Sequence, residues 1–136
     1  MTTQIVRNLS VTLFAAATLF AQGSQTLTVQ VPFGFHVGNS VLPAGGYTVY
    51  TDGPAQILRL RSDDSKSSVM IQTNRVEKLS APGKGKLVFN KYGDEYFLSQ
   101  VWKAGDNSGR ELLKTKREFE VAAIARRGIE SVIAKK

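Results

Sequence analysis

Six apolar residues at strictly alternate positions, Leu27, Val29, Val31, Phe33, Phe35 and Val37, constrain this 136-residue chain more than any other feature. Thr28, Gln30, Pro32, Gly34 and His36 fill the gaps. A side-chain period of two puts every second residue on one face, the mark of a half-buried strand and not of a helix. Pro32 has no N–H to give to a ladder, so the strand lies at an edge or breaks there into two. Gly38-Asn39-Ser40 ends it.

Turn signals then punctuate short apolar runs. Leu42-Pro43-Ala44-Gly45-Gly46 leads into a strand over 47–51, and Asp52-Gly53-Pro54 is the next turn. Residues 56–61 read as a third strand with Leu58 and Leu60 inward, and 68–76 as a fourth after the polar turn 63–66. A Gly93-Asp94 turn joins 86–92 to 95–103 in a hairpin. In that register Phe89 faces Leu98 and Leu87 faces Gln100. One face then carries Leu87, Phe89, Tyr96, Leu98 and Trp102; the other carries Val88, Tyr92, Phe97 and Val101. Large apolar groups on both faces predict a central hairpin, covered at least partly on each side.

The C-terminal segment changes character after the loop 105–109. Two capping boxes occur, Ser108-x-x-Glu111 and Thr115-x-x-Glu118, and the second is favoured as the start of a helix over 116–127. Phe119, Ala122 and Ala123 would face the sheet, Arg126 and Arg127 would fill the last turn, and Gly128 would cap it. The β-branched stretch 129–134 reads as a short last strand.

Ahead of the alternating strand, residues 1–8 are polar with one positive charge, Arg7. Residues 9–21 form an apolar, Ala-rich run, and Ala21-Gln22-Gly23 has small residues at its first and third positions. This is the layout of a bacterial secretory signal peptide over residues 1–23, cut after Gly23. It predicts a periplasmic or extracellular protein with a single β-rich domain over 24–136. No second apolar run approaches membrane-spanning length, so no integral membrane anchor is expected. There are no cysteines, which removes disulfides, thiol catalysis and Cys-ligated metals. The chain carries +7, falling to +6 when Arg7 leaves with the leader. A basic exported domain is drawn to anionic partners.

The segments VPFGFHVGNSVLPAGGYTVY, KLVFNKYGDEYFLSQVW and GRELLKTKREFE resemble a family of small exported β-rich proteins abundant in Acidobacteria. The resemblance spans about residues 31–120 and brings no catalytic or ligand residue with it. Many relatives have Pro where this chain has Leu113, which supports the later helix start.

Chemistry-bearing constellations are sparse. His36 is the sole histidine and falls on the polar side of its strand, where an exposed side chain is the expectation. Without a second histidine or a cysteine the donor set of a transition-metal site is missing, so no metal site, cofactor or catalytic residue is expected. Asp63 and Asp64 are adjacent and point to opposite faces in extended chain, which fits a solvated turn. The Pro82-Gly83-Lys84-Gly85-Lys86 loop lacks the spacing and helix of a phosphate-binding loop. Tyr92, Tyr96, Phe97 and Trp102 cluster on the hairpin, and Arg126 and Arg127 stand in the basic C-terminal third. Tyr92, Tyr96, Trp102, Arg126 and Arg127 are therefore the candidate ligand or partner contacts.

These readings predict a mainly antiparallel β-sandwich or small barrel with one C-terminal helix. The expected function is a non-enzymatic, envelope-associated binding or structural module contacting anionic polymers or a partner protein, with no specific nucleic acid. Two alternatives are a small barrel carrying an apolar ligand and an oligomer assembled by addition of the N-terminal strand.

Overall fold

A computed structural model of the chain describes residues 9–14, 26–51 and 56–134. The rest of the expected leader, the Asp52-Gly53-Pro54 turn, and Lys135 and Lys136 lie outside these residues. The described elements are β1 (Leu9–Phe14), β2 (Thr26–Val31), β3 (Phe35–Val37), β4 (Ser40–Leu42), β5 (Gly45–Tyr50), β6 (Ile57–Ser62), β7 (Ser68–Glu77), β8 (Lys86–Tyr92), β9 (Glu95–Trp102), β10 (Ser108–Leu112) and α1 (Lys116–Ala134). The fold is mainly antiparallel β, a curled half-barrel sheet with a single C-terminal helix.

The sheet runs β1-β8-β9-β10-β7-β6-β5-β2, and each neighbouring pair on this path is antiparallel. β7 makes the curl. Its first half, Ser68 to Gln72, pairs with β6, and its second half, Thr73 to Glu77, pairs with β10. A strand that changes partners midway turns a corner between two sheet halves. Thr73 pins that corner: it is fully buried, and both its N–H and its Oγ1 donate to the Gln56 carbonyl.

The alternating segment does break at Pro32, into β2 and β3. β2 pairs along all six residues with β5, and β3 forms a tight hairpin with β4 through Gly38, whose φ is 60°. β3 also bridges β9 in parallel at His36 and Phe97. Leu27, Val29, Val31, Phe35 and Val37 all enter the core with Tyr47, Val49, Leu58, Leu60, Leu87, Phe89, Leu98 and Val101. Phe33 packs at its margin, stacked on Tyr96 at 3.7 Å between ring centroids.

Several local expectations are overturned. The hairpin holds Phe89 opposite Leu98, but Leu87 faces Val101 and Val88 faces Gln100. Ser99 is the extra residue of a β-bulge, and a bulge shifts everything beyond it to the opposite face. Val101 therefore enters the core, and Trp102 moves to the outer face. β10 takes up the end of the expected 105–109 loop and the Ser108-x-x-Glu111 capping box, and β4 forms between the two expected turns at Gly38 and Pro43. The six residues of β1 lie within the apolar stretch assigned to the leader.

The helix starts where expected, with Thr115 Oγ1 accepting from the Glu118 N–H at 3.1 Å. It does not end at Gly128. It continues to Ala134, so no last strand forms over 129–134 and Arg126 and Arg127 are not in the last turn. A mid-helix glycine costs only about 1 kcal/mol. The face toward the sheet is also different. Glu118 and Val121 are buried, whereas Phe119 is 61% exposed.

Candidate functional site

The outer face of β8 and β9 gathers most of the aromatic residues singled out in the sequence, but as a scaffold. Asn90 Nδ2 and the Tyr92 hydroxyl both donate to Glu118 Oε2 at 3.0 Å. In a capping box the Glu118 carboxylate would turn back to its own helix end; here it ties the helix to the hairpin instead. Burial, then the Glu118 charge and hydrogen bond, pushes the Tyr92 hydroxyl up to about 12. His36 is half-buried rather than exposed. It stacks on Phe97 at 4.1 Å and meets Glu95 Oε1 at 3.1 Å. Arg117 of the helix donates to Glu95 Oε2 at 2.9 Å. β3, β9 and α1 are joined by this row.

Trp102 is buried to 1% exposure, so no open ring face remains for a ligand. Its Nε1 donates to Gln100, whose amide donates in turn to Glu111, and the Lys78 ammonium covers the ring at 4.5 Å. Tyr96 lies on the core side against Phe33, with Lys91 5.5 Å from its ring. Arg126 is exposed on the helix, and the side chain of Arg127 lies outside the described residues. The candidate contacts are thus spread over the core side, the outer face and the helix.

A different set of residues converges on the concave side. β10 and β7 place Arg110 directly opposite Arg75, and β10 and β9 place Arg110 opposite Val101. Arg110 and Leu112 are two residues apart and share a face, and Leu112 belongs to the core. The Arg75–Arg110 pair therefore stands on the concave face, just beyond the packed interior. Lys103 follows Val101 by two residues and reaches the same mouth. Together with Thr51, Gln56, Asp106, Ser108 and Gly109 these residues line a cavity of about 270 Å³.

Like charges directly across an antiparallel pair oppose folding. Arg75 is partly compensated by Glu77 at 3.2 Å, and Arg110 reaches the Thr51 carbonyl at 3.5 Å. Asp106 is the one carboxylate of the lining among the described residues. The Ser108 backbone N–H and hydroxyl, bonded at 3.0 and 2.9 Å, hold its carboxyl below the usual range, with Lys103 and Arg75 adding to the effect. Asp106 thus stays ionised while turned to its own loop, and three cations surround one small cavity. The pairing of Arg75 with Arg110 is set by cross-strand register over 35 positions of sequence, and no local motif marks it.

Among the described residues no group of three or more His, Cys, Asp or Glu is placed to hold a metal ion. No helix among them is long and apolar enough to cross a membrane. Comparison with protein-family models, with curated proteins and with solved structures finds no match for this chain.

Proposed function

We propose that the protein is an exported, non-enzymatic module of the cell envelope that holds an anionic group of an envelope polymer at the mouth of its curled sheet. The observation that carries this is the facing pair Arg75 and Arg110, with Lys103, around one cavity. An oxyanion between them would turn a repulsive cross-strand pair into two charge-assisted hydrogen-bonding partners. The cavity is small by the standard of drug-sized sites, of order 300–1,000 Å³, and suits one phosphate, sulfate or carboxylate group. The net charge, +6 once Arg7 has left with the leader, favours the encounter.

The test is chromatography of the exported protein on immobilised polyphosphate under a salt gradient. The wild type is expected to be retained and released by salt. Arg75→Gln with Arg110→Gln should elute at clearly lower salt, and Arg126→Gln, remote from the cavity, close to wild type. Retention that ignores salt, or equal elution of the three proteins, would overturn the assignment.

A further inference from the structure

β1 and β2 are the two ends of the sheet path, and they approach each other across the open side of the curl. Successive strands on the path alternate in direction, which makes β2 and β8 parallel to one another and β1 antiparallel to both. β1 is thus the strand that lets the curl approach closure with antiparallel neighbours only. Without it, seven strands remain on the path and their two ends run the same way.

β1 is registered to β8 over six positions, from Leu9 opposite Lys91 to Phe14 opposite Lys86. Val11, opposite Phe89, packs against the core while Thr12 is exposed. In sequence Val11 stands between Ser10 and Thr12, so the position takes an extended segment with an apolar side chain opposite Phe89. Leu87 and Phe89 of β8 are fully buried with this strand in place.

We propose that the free edge of β8 is a strand-acceptor site, filled in the full-length chain by Leu9–Phe14 and opened to an extended segment of a partner protein when the leader is removed. The inference rests on the exported reading above, in which the chain is cut after Gly23. Only Ser24 and Gln25 then precede β2, a reach of about 7 Å, whereas the vacated position is about 20 Å long. β2 itself is held by β5 along its whole length, in this chain and in any second copy. The chain therefore has no described segment free to refill the site. A donor from another protein supplies backbone hydrogen bonds to the β8 edge and an apolar side chain at the position of Val11.

The experiment uses the full chain with a site-specific protease sequence placed within residues 18–23, so that cutting does not depend on export. After the cut, a fluorescent peptide with the sequence of residues 8–15 is titrated in, beside the same peptide carrying Val11→Asp. A second cut protein carries Val11→Asp in its own leader, to weaken the resident strand. Saturable binding of the wild-type peptide, at least tenfold tighter than the Val11→Asp peptide and displacing the resident fragment in native mass spectra, is the expected result. Failure of the peptide to bind either cut protein, or equal binding of both peptides, overturns the proposal. Unfolding on loss of the fragment, seen by circular dichroism, overturns it too, because an acceptor must persist when empty. The exported reading fails separately, if N-terminal sequencing of the exported protein finds Met1 or residues of the leader.

Discussion

At the scale of single residues, the tightest constraint is the one that Trp102 places on Gly109. The two face each other across β9 and β10, and the indole lies over the glycine. A Cβ on Gly109 would stand 2.7 Å from two indole carbons and 2.8 Å from the Val101 carbonyl oxygen. None of these is the loose end of a flexible side chain. Gly109→Ala is expected to destabilise by about 1–3 kcal/mol through overpacking, measured by urea unfolding. Tyr92 gives a pH signature. Its hydroxyl titrates near 12 in the folded chain and near 10 unfolded. The folded state then binds more protons between these values, so the contribution is fully present below pH 10 and is lost as pH rises toward 12. Tyr47, raised by its burial and by Asp64, acts in the same direction. Tyr92→Phe should flatten part of the alkaline loss of stability, seen as a smaller drop in the urea midpoint between pH 9.5 and 11.5.

At the scale of elements, the helix and the hairpin depend on features that pull apart from simple patterning. The helix docks through Glu118 and Val121, so Val121→Ala should cost about 1–3 kcal/mol while Phe119→Ser changes stability by less than about 0.5 kcal/mol. Equilibrium unfolding of the two variants decides between this face and the one centred on Phe119. Thr115→Ala removes the N-cap and should cost about 1 kcal/mol, with a loss of helical signal in far-UV circular dichroism. The start of the helix was legible because a cap is local: a hydroxyl three residues before an amide. Its length and orientation were not, because a carboxylate that finds Asn90 and Tyr92 outweighs the apolar stripe that would have rotated the helix toward Phe119. Likewise the turn of the β8–β9 hairpin was legible, but the bulge at Ser99 was not, since one unpaired serine has no sequence mark and yet exchanges Val101 for Trp102 in the core.

At the scale of the whole molecule, the sheet curls because β7 serves two neighbours, and curling brings Arg75, Arg110 and Lys103 to one mouth. That gathering predicts a charge effect on stability. Screening by added salt should relieve repulsion between exposed like charges, and binding of an anion to the folded state alone should raise stability by mass action. Pyrophosphate is therefore expected to raise the melting temperature of the wild type more than sodium chloride does at equal ionic strength. The excess should vanish in Arg75→Gln with Arg110→Gln. Thermal unfolding followed by fluorescence of the buried Trp102 checks this; an equal response of both proteins would leave the cavity without a role.

Period-two alternation from Leu27 to Val37, turn residues between apolar runs and the cap at Thr115 were enough to determine a mainly antiparallel β chain with one C-terminal helix. Each of these acts between residues a few positions apart, where backbone geometry and side-chain direction are set locally. Only the tertiary structure decided that Trp102 is a buried wall, that His36 and Glu95 join the hairpin to the helix, that Arg75 meets Arg110, and that Leu9–Phe14 completes the edge of β8. Those outcomes depend on cross-strand register, on a one-residue bulge and on the curl introduced by β7, all of which couple distant segments through packing and hydrogen bonding.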